Sequence, residues 1–204
     1  MASILKVDTI QDQSGNNIIN ENADTITIGA SGDTITIPSG ATISNLGTAT
    51  GFGGTNTPAF EAYLSSATAI SHNTSTKVPC NIEIYDTDSC YDNVTNYRFT
   101  PNVAGKYYFY FTLRGFAGGS TPDGVRFLII RPYKNGSDIL TANGTDYDAN
   151  APRAPQMTFS TVVNMNGTTD YVEFYATIYA ENLSSTGVEL LNNYTAFGGY
   201  RIIE

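Results

Sequence analysis

Residues 105–115 read GKYYFYFTLRG, and the spacing inside this stretch decides the fold class. Tyr107, Phe109, Phe111 and Leu113 occupy every second position, with Lys106, Tyr108, Tyr110 and Thr112 between them. A period of two is that of a β-strand, whose successive side chains point to opposite faces. The first set is apolar enough to line a core. The second is too aromatic for plain solvated surface, and tyrosine is enriched where subunits meet.

The same pattern recurs through residues 59–204. The segments are FEAYL from 60, TKVPCNIEIY from 76, NYRFTP from 96, GVRFLIIRPY from 124, DILTA from 138, QMTFSTVVNM from 156, DYVEFYATIYA from 170 and YTAFGGYRII from 194. In DYVEFYATIYA, Val172, Phe174, Ala176 and Ile178 share one face and Tyr171, Tyr175 and Tyr179 the other. Asn135-Gly136 and Asn166-Gly167 are hairpin signals. No stretch has a sustained helical period. Strands at this spacing imply an all-β sandwich or barrel. Its expected core includes Tyr107, Phe109, Phe111, Phe127, Phe174, Ile178 and Phe197.

Upstream the pattern changes. Residues 23–40 read ADTITIGASGDTITIPSG, with DTITI repeated nine residues apart. Stepping by nine gives Ile10, Ile19, Ile28, Ile37 and Leu46, all large and aliphatic. One short strand per nine residues cannot wrap a β-helix from a single chain. Three chains wound about one axis can do so, each supplying an aliphatic residue to the centre. The expected organisation is therefore an N-terminal segment and trimeric β-helix-like stalk over 1–46, a Gly/Thr-rich neck over 47–58, and a head over 59–204. Two other readings compete: a Thr-rich linker with chance periodicity, and a calcium-binding β-roll. The β-roll pattern fits poorly, since GASGDTITI lacks its second Gly and has Asp one place early.

Composition narrows the function. The net charge is −9 and charged residues are only 14% of the 204. An acidic chain is repelled by phosphate backbones, so nucleic acid is not an expected partner. No apolar run reaches the roughly 20 residues of a membrane helix, and MASILKVDTIQDQSG lacks a signal-peptide core. The expectation is synthesis in a cytoplasm without membrane insertion. Asn73, Asn93, Asn135, Asn143, Asn166, Asn182 and Asn193 head Asn-x-Ser/Thr triplets, which read as composition without a secretory route. Cys80 and Cys90 read as reduced thiols, with a hairpin-bridging disulfide as the alternative.

These residues carry a resemblance. FTPNVAGKYYF (99–109) resembles the motif of C1q-like globular domains. Tyr91-Asp92, Tyr133-Lys134-Asn135-Gly136 and Phe197-Gly198-Gly199-Tyr200 resemble further signatures of that family, in the same order. The resemblance implies a ten-stranded jelly-roll head that assembles as a tight homotrimer. The family's collagen region is missing. Instead ASILKVDTIQDQSG (2–15) resembles the opening of virion structural proteins of tailed phages, especially those of marine hosts. That implies attachment to other virion proteins through the N-terminal segment, and a virion location.

Catalytic chemistry finds little footing. His72 is the only histidine, in a turn-like SHNTST, and no nucleophile elbow or phosphate loop is present. Asp86, Asp88 and Asp92, and Asp146 and Asp148, lie in loops where carboxylates usually form turns. They supply oxygen ligands, but spacing fixes too few of them for a calcium site. The expectation is no enzyme, no cofactor and no metal, with calcium kept as an alternative.

Binding residues are expected on loops. Connections after residue 115 alternate long and short: GFAGGSTPDG, KNGSD, ANGTDYDANAPRAPQ, NMNGTTD and AENLSSTGVELLNNY. Up-and-down strands then gather the long ones at one end, where a rigid scaffold usually carries its binding groups. Asp123, Asp146, Tyr147, Asp148, Arg153, Glu181 and Asn192 are the candidates for contact with a host-surface glycan or protein receptor. A purely structural virion component and a glycan-cleaving tail spike are the alternatives to a receptor-binding fibre.

Overall fold

The computed structural model describes residues 9–15, 17–23, 25–29, 31–44, 46–47, 56–118, 124–139, 143–147, 150–181 and 187–203. Every regular element among them is a β-strand. The chain divides into two units, Met1–Thr50 and Gly51–Glu204.

The first unit contains β1 (Thr9–Gln11), β2 (Asn17–Asn22) and β3 (Thr25–Ile28), joined as an antiparallel meander in the order β1-β2-β3. Ile10 pairs with Ile19, and Ile19 with Ile28. The nine-residue step is therefore a row running across strands. It is not the rung of a wound β-helix, because the chain reverses at each turn and lays neighbouring strands side by side. Ile37 and Leu46 lie outside any strand. Within one chain Ile10, Ile19, Ile28, Ile37 and Leu46 are all exposed, Leu46 completely.

The second unit is a sandwich. Its strands are β4 (Ala59–Tyr63), β5 (Thr68–Ile70), β6 (Thr76–Lys77), β7 (Ile82–Asp86), β8 (Tyr91–Asp92), β9 (Arg98–Phe99), β10 (Gly105–Ala117), β11 (Val125–Lys134), β12 (Ser137–Asp138), β13 (Asn143–Asp146), β14 (Gln156–Met165), β15 (Val172–Ala180), β16 (Val188–Leu190) and β17 (Ala196–Arg201). In the first sheet β10 is central, flanked by β14 on one edge and by β17 and β16 on the other, with β4 and β7 beyond β17. In the second, β11 and β15 pair along their lengths and β9 and β8 continue beyond β15. Strands are shorter and more numerous than the sequence implied. The last long connection itself contains β16, which pairs with β10 and β5.

Tyr107, Phe109, Phe111 and Leu113 of β10, and Phe174, Ala176 and Ile178 of β15, have no exposed surface. Phe60 stacks on Phe99 at 4.4 Å and meets Phe197 edge-on at 4.8 Å, so rings from β4, β9 and β17 knit the two sheets together. Such ring pairs contribute about 0.5–1.5 kcal/mol beyond their burial. Phe127 departs from the expected core set. It is only half-buried, because a bulge between Val125 and Phe127 puts it opposite Tyr179 on the outer face of the second sheet.

The Asn135-Gly136 turn has positive φ at both residues, 53° and 78°, as a two-residue hairpin of matching twist demands. Cys80 and Cys90 are free thiols, both buried, and burial pushes both upward in pKa.

Candidate functional site

Pro58 and Arg201 mark one end of the sandwich, since the Arg201 amide donates to the Pro58 carbonyl. The long connections meet at the other end. The Gly118 amide donates to the Gly187 carbonyl, the Glu181 amide to Gly124, the Val125 amide to Pro152 and the Ala117 amide to Arg153. These bonds bind three separate connections into one platform. Gly124 is packed so tightly that a Cβ there would fall 2.0 Å from the Ala151 carbonyl oxygen.

The charged groups of this end converge on Arg126. Its Nε lies 3.4 Å from the Asp146 carboxylate and its Nη1 3.5 Å from Glu181, so one guanidinium holds two loops together. The Tyr147 amide donates to the Arg126 carbonyl. The Arg153 guanidinium sits 5.2 Å from the centre of the Phe116 ring. Thus Asp146, Tyr147, Arg153 and Glu181 are brought to one end. Asn192 stands to the side, its amide donating to the Ser65 carbonyl at 3.4 Å. Asp123 and Asp148 lie outside the described residues. Arg126 and Phe116 are the members that loop reading missed. Both lie within strands, and Arg126 falls at the bulge, which no periodicity reveals.

The two outer faces of the sandwich differ in chemistry. The second sheet's face carries Tyr133 stacked on Tyr175 at 4.2 Å, with Lys77 paired to Glu173 and Arg131 to Asp138. Arg98 covers the ring of Tyr171, and Lys134 bonds Asp170 at the strand ends. His72 lies against Tyr179, its Nε2 at 3.1 Å from the Ala180 carbonyl oxygen. Most charges of this face are matched within the chain.

The first sheet's face is different. Tyr108 lies beside Tyr200, with ring centres 5.4 Å apart, and Val162 pairs with Tyr108 from the other edge. Tyr110 pairs with Gly198, which pairs in turn with Glu61, which pairs with Tyr85. The Tyr110 hydroxyl is pushed up in pKa by burial first, then by Glu61 and Tyr85 beside it. Ile82, Tyr85, Val162 and Tyr200 remain exposed here. The two tyrosine sets read from the sequence therefore lie on opposite sides of the sandwich.

Among the described residues no cluster of His, Cys, Asp or Glu has a metal-holding arrangement. The aspartates of YDTDSCYDN serve the backbone instead. Asp92 accepts the amides of Val94, Thr95 and Asn96, and Asp86 those of Cys90 and Tyr91.

No family model matches the chain, and no curated protein does so. Solved structures do. The globular domain of a zebrafish complement 1qA protein is 16% identical, over 71% of this chain and 97% of that one, with a TM-score of 0.50. Murine APRIL is 12% identical over 71% and 98%, with a TM-score of 0.44. The Eiger TNF of S. frugiperda is 11% identical over 71% and 90%, with a TM-score of 0.42. The likeness to the complement domain shows the fold of the second unit, a C1q-like jelly roll.

Proposed function

We propose that this chain is a homotrimeric virion fibre whose jelly-roll head contacts a host-surface receptor. The observation that carries the trimer is the contrast between the two outer faces. Most charges on the second sheet are paired within the chain, whereas the first sheet, beside Lys106, Arg114 and Glu61, offers Tyr108, Tyr110, Tyr200, Tyr85, Ile82 and Val162. Tyrosine-rich faces with few charges are what subunits bury against each other. The aliphatic row of the first unit supports the same reading, because on a rotation axis like meets like and only uncharged side chains pack well. The opening ASILKVDTIQDQSG supports a mount on other virion proteins; residues 1–8 lie outside the described ones.

The receptor role rests on the loop end. Arg126, Asp146, Glu181, Arg153, Phe116 and Tyr147 form a mixed charged and aromatic surface on a rigid scaffold. Exchanging residues 144–153 for a short Gly-Ser loop tests it. The reading expects a trimer that no longer attaches to host cells; full attachment by that trimer contradicts it. One observation favours a second reading, a purely structural virion component: Arg126 already satisfies Asp146 and Glu181 within the chain. Release of reducing sugar from host polysaccharide would instead indicate the glycan-cleaving alternative.

A further inference from the structure

Among its described residues the first unit shows no core of its own. None of its residues of described burial is buried, and Ile26, Ile28, Ile35, Ile37 and Ile43 are all more exposed than Ile19. Three short strands need an apolar face covered before they are stable. The question is what the completed sheet looks like.

Hydrogen-bond phase gives an answer. The Gly29 amide donates to the Ile18 carbonyl at 2.8 Å, which makes 18/29 a bonded pair. Bonded and non-bonded pairs alternate in an antiparallel ladder. Thr27 and Thr25 therefore turn their amides toward β2, while Ile26 and Ile28 turn theirs to the open edge of β3. Paired positions sum to 29 between β1 and β2 near Ile10 and to 47 between β2 and β3. The next nine-residue step sets Ile37 opposite Ile28. That register makes 28/37 and 26/39 bonded pairs and puts Pro38 opposite Thr27 at a non-bonded position. Proline lacks an N–H and is tolerated in a strand only where none is required. The same register that extends the aliphatic row thus seats Pro38 where it costs no bond to β3. On its far side Pro38 cannot donate, and its carbonyl already accepts from Ala41 in a turn, so the sheet stops there.

We propose that residues 36–39 dock on the open edge of β3 as a fourth strand of the same chain when three copies cover the aliphatic row. Residues 30–35 are long enough for the return. This rests on the trimer reading above, and deepens it: assembly completes a sheet that the lone chain leaves one strand short.

Cysteines at the non-bonded pair test it. Opposed Cα atoms there are about 4.5 Å apart, within the range of a disulfide. In the full chain, Thr27→Cys/Pro38→Cys should oxidise to an intrachain link, seen as a monomer band of shifted mobility on a non-reducing gel. Thr27→Cys/Ile37→Cys, out of phase, should not. Links between chains, or equal linking by the two pairs, overturn the proposal. Hydrogen exchange on the unaltered protein is the second measurement: the Ile37 and Ser39 amides should exchange about 100-fold more slowly than an unstructured chain. Unprotected amides in a protein that light scattering finds trimeric overturn the fourth strand alone, whereas a monomeric mass overturns the trimer reading itself.

Discussion

Tyr110 packs directly upon Gly198: a Cβ at position 198 would fall 2.3 Å from the tyrosine's Cζ and hydroxyl oxygen. The pair sits on the outer face of the first sheet, where β10 runs beside β17. The obstructing atoms are the far end of a flexible side chain, whose hydroxyl also bonds Glu61 and Tyr85. Gly198→Ala should therefore lower the melting temperature of the isolated chain less than a core change does, while pushing Tyr110 into the space a neighbouring subunit needs. The expected result is a shift of the assembly toward monomer by light scattering across a dilution series. A variant that assembles as tightly as the parent removes this face from the subunit contact.

Gly199 is the internal control. A Cβ there would meet Phe109 Cδ1 at 2.5 Å and the Tyr108 carbonyl at 2.9 Å, both inside the sandwich. Overpacking of this kind costs about 1–3 kcal/mol, and the opposite change, Phe109→Ala, about 3–5 kcal/mol. Both variants should unfold at lower denaturant than the parent. Neighbouring glycines thus separate assembly from stability.

Acid should weaken the head through Asp92. Its carboxylate is held down at a pKa of about 2, first by the Thr95 amide, against desolvation and with further help from Asn96 and Val94. The folded pKa lies below the unfolded one, about 3.9. The contribution is therefore fully present above pH 5 and is lost as pH falls toward 2. Asp170, lowered first by its bond to Lys134, acts in the same direction. In urea melts, Asp92→Asn should be less stable than the parent at pH 7 and converge with it near pH 2. A constant gap between them would falsify the assignment.

Arg126 gives a direct reading of the loop end. Replacing it with Gln leaves Asp146 and Glu181 without their shared cation. Exposed pairs contribute only about 0–1 kcal/mol each, so stability should change little. Proteolysis between 140 and 155 should accelerate. Unchanged cleavage would mean that the main-chain bonds from Val125 and Ala117 alone hold the loop.

Much of the head was legible because β10 and β15 each bury one face and leave the other outside, and period-two alternation is the imprint of that geometry. The loop end was partly legible: alternating connection lengths reveal which turns share an end, as the Gly118–Gly187 bond does in the structure. Arg126 was not, because a bulge changes which face a residue occupies without changing the sequence around it. Phe127 was misassigned for the same reason. In the first unit the nine-residue period was real but ambiguous. A row of aliphatics looks the same in sequence whether the chain winds or reverses, and only the pairing of Ile19 with both Ile10 and Ile28 distinguishes the two.

The central claim is that three copies assemble through the tyrosine face of the first sheet. The mass of the intact chain in solution, by multi-angle light scattering at neutral pH, tests it most directly. The account predicts a single species of about three times 21.9 kDa, persisting at high salt because aromatic and aliphatic groups outnumber charges on that face. A species of one or two chains at micromolar concentration would contradict it.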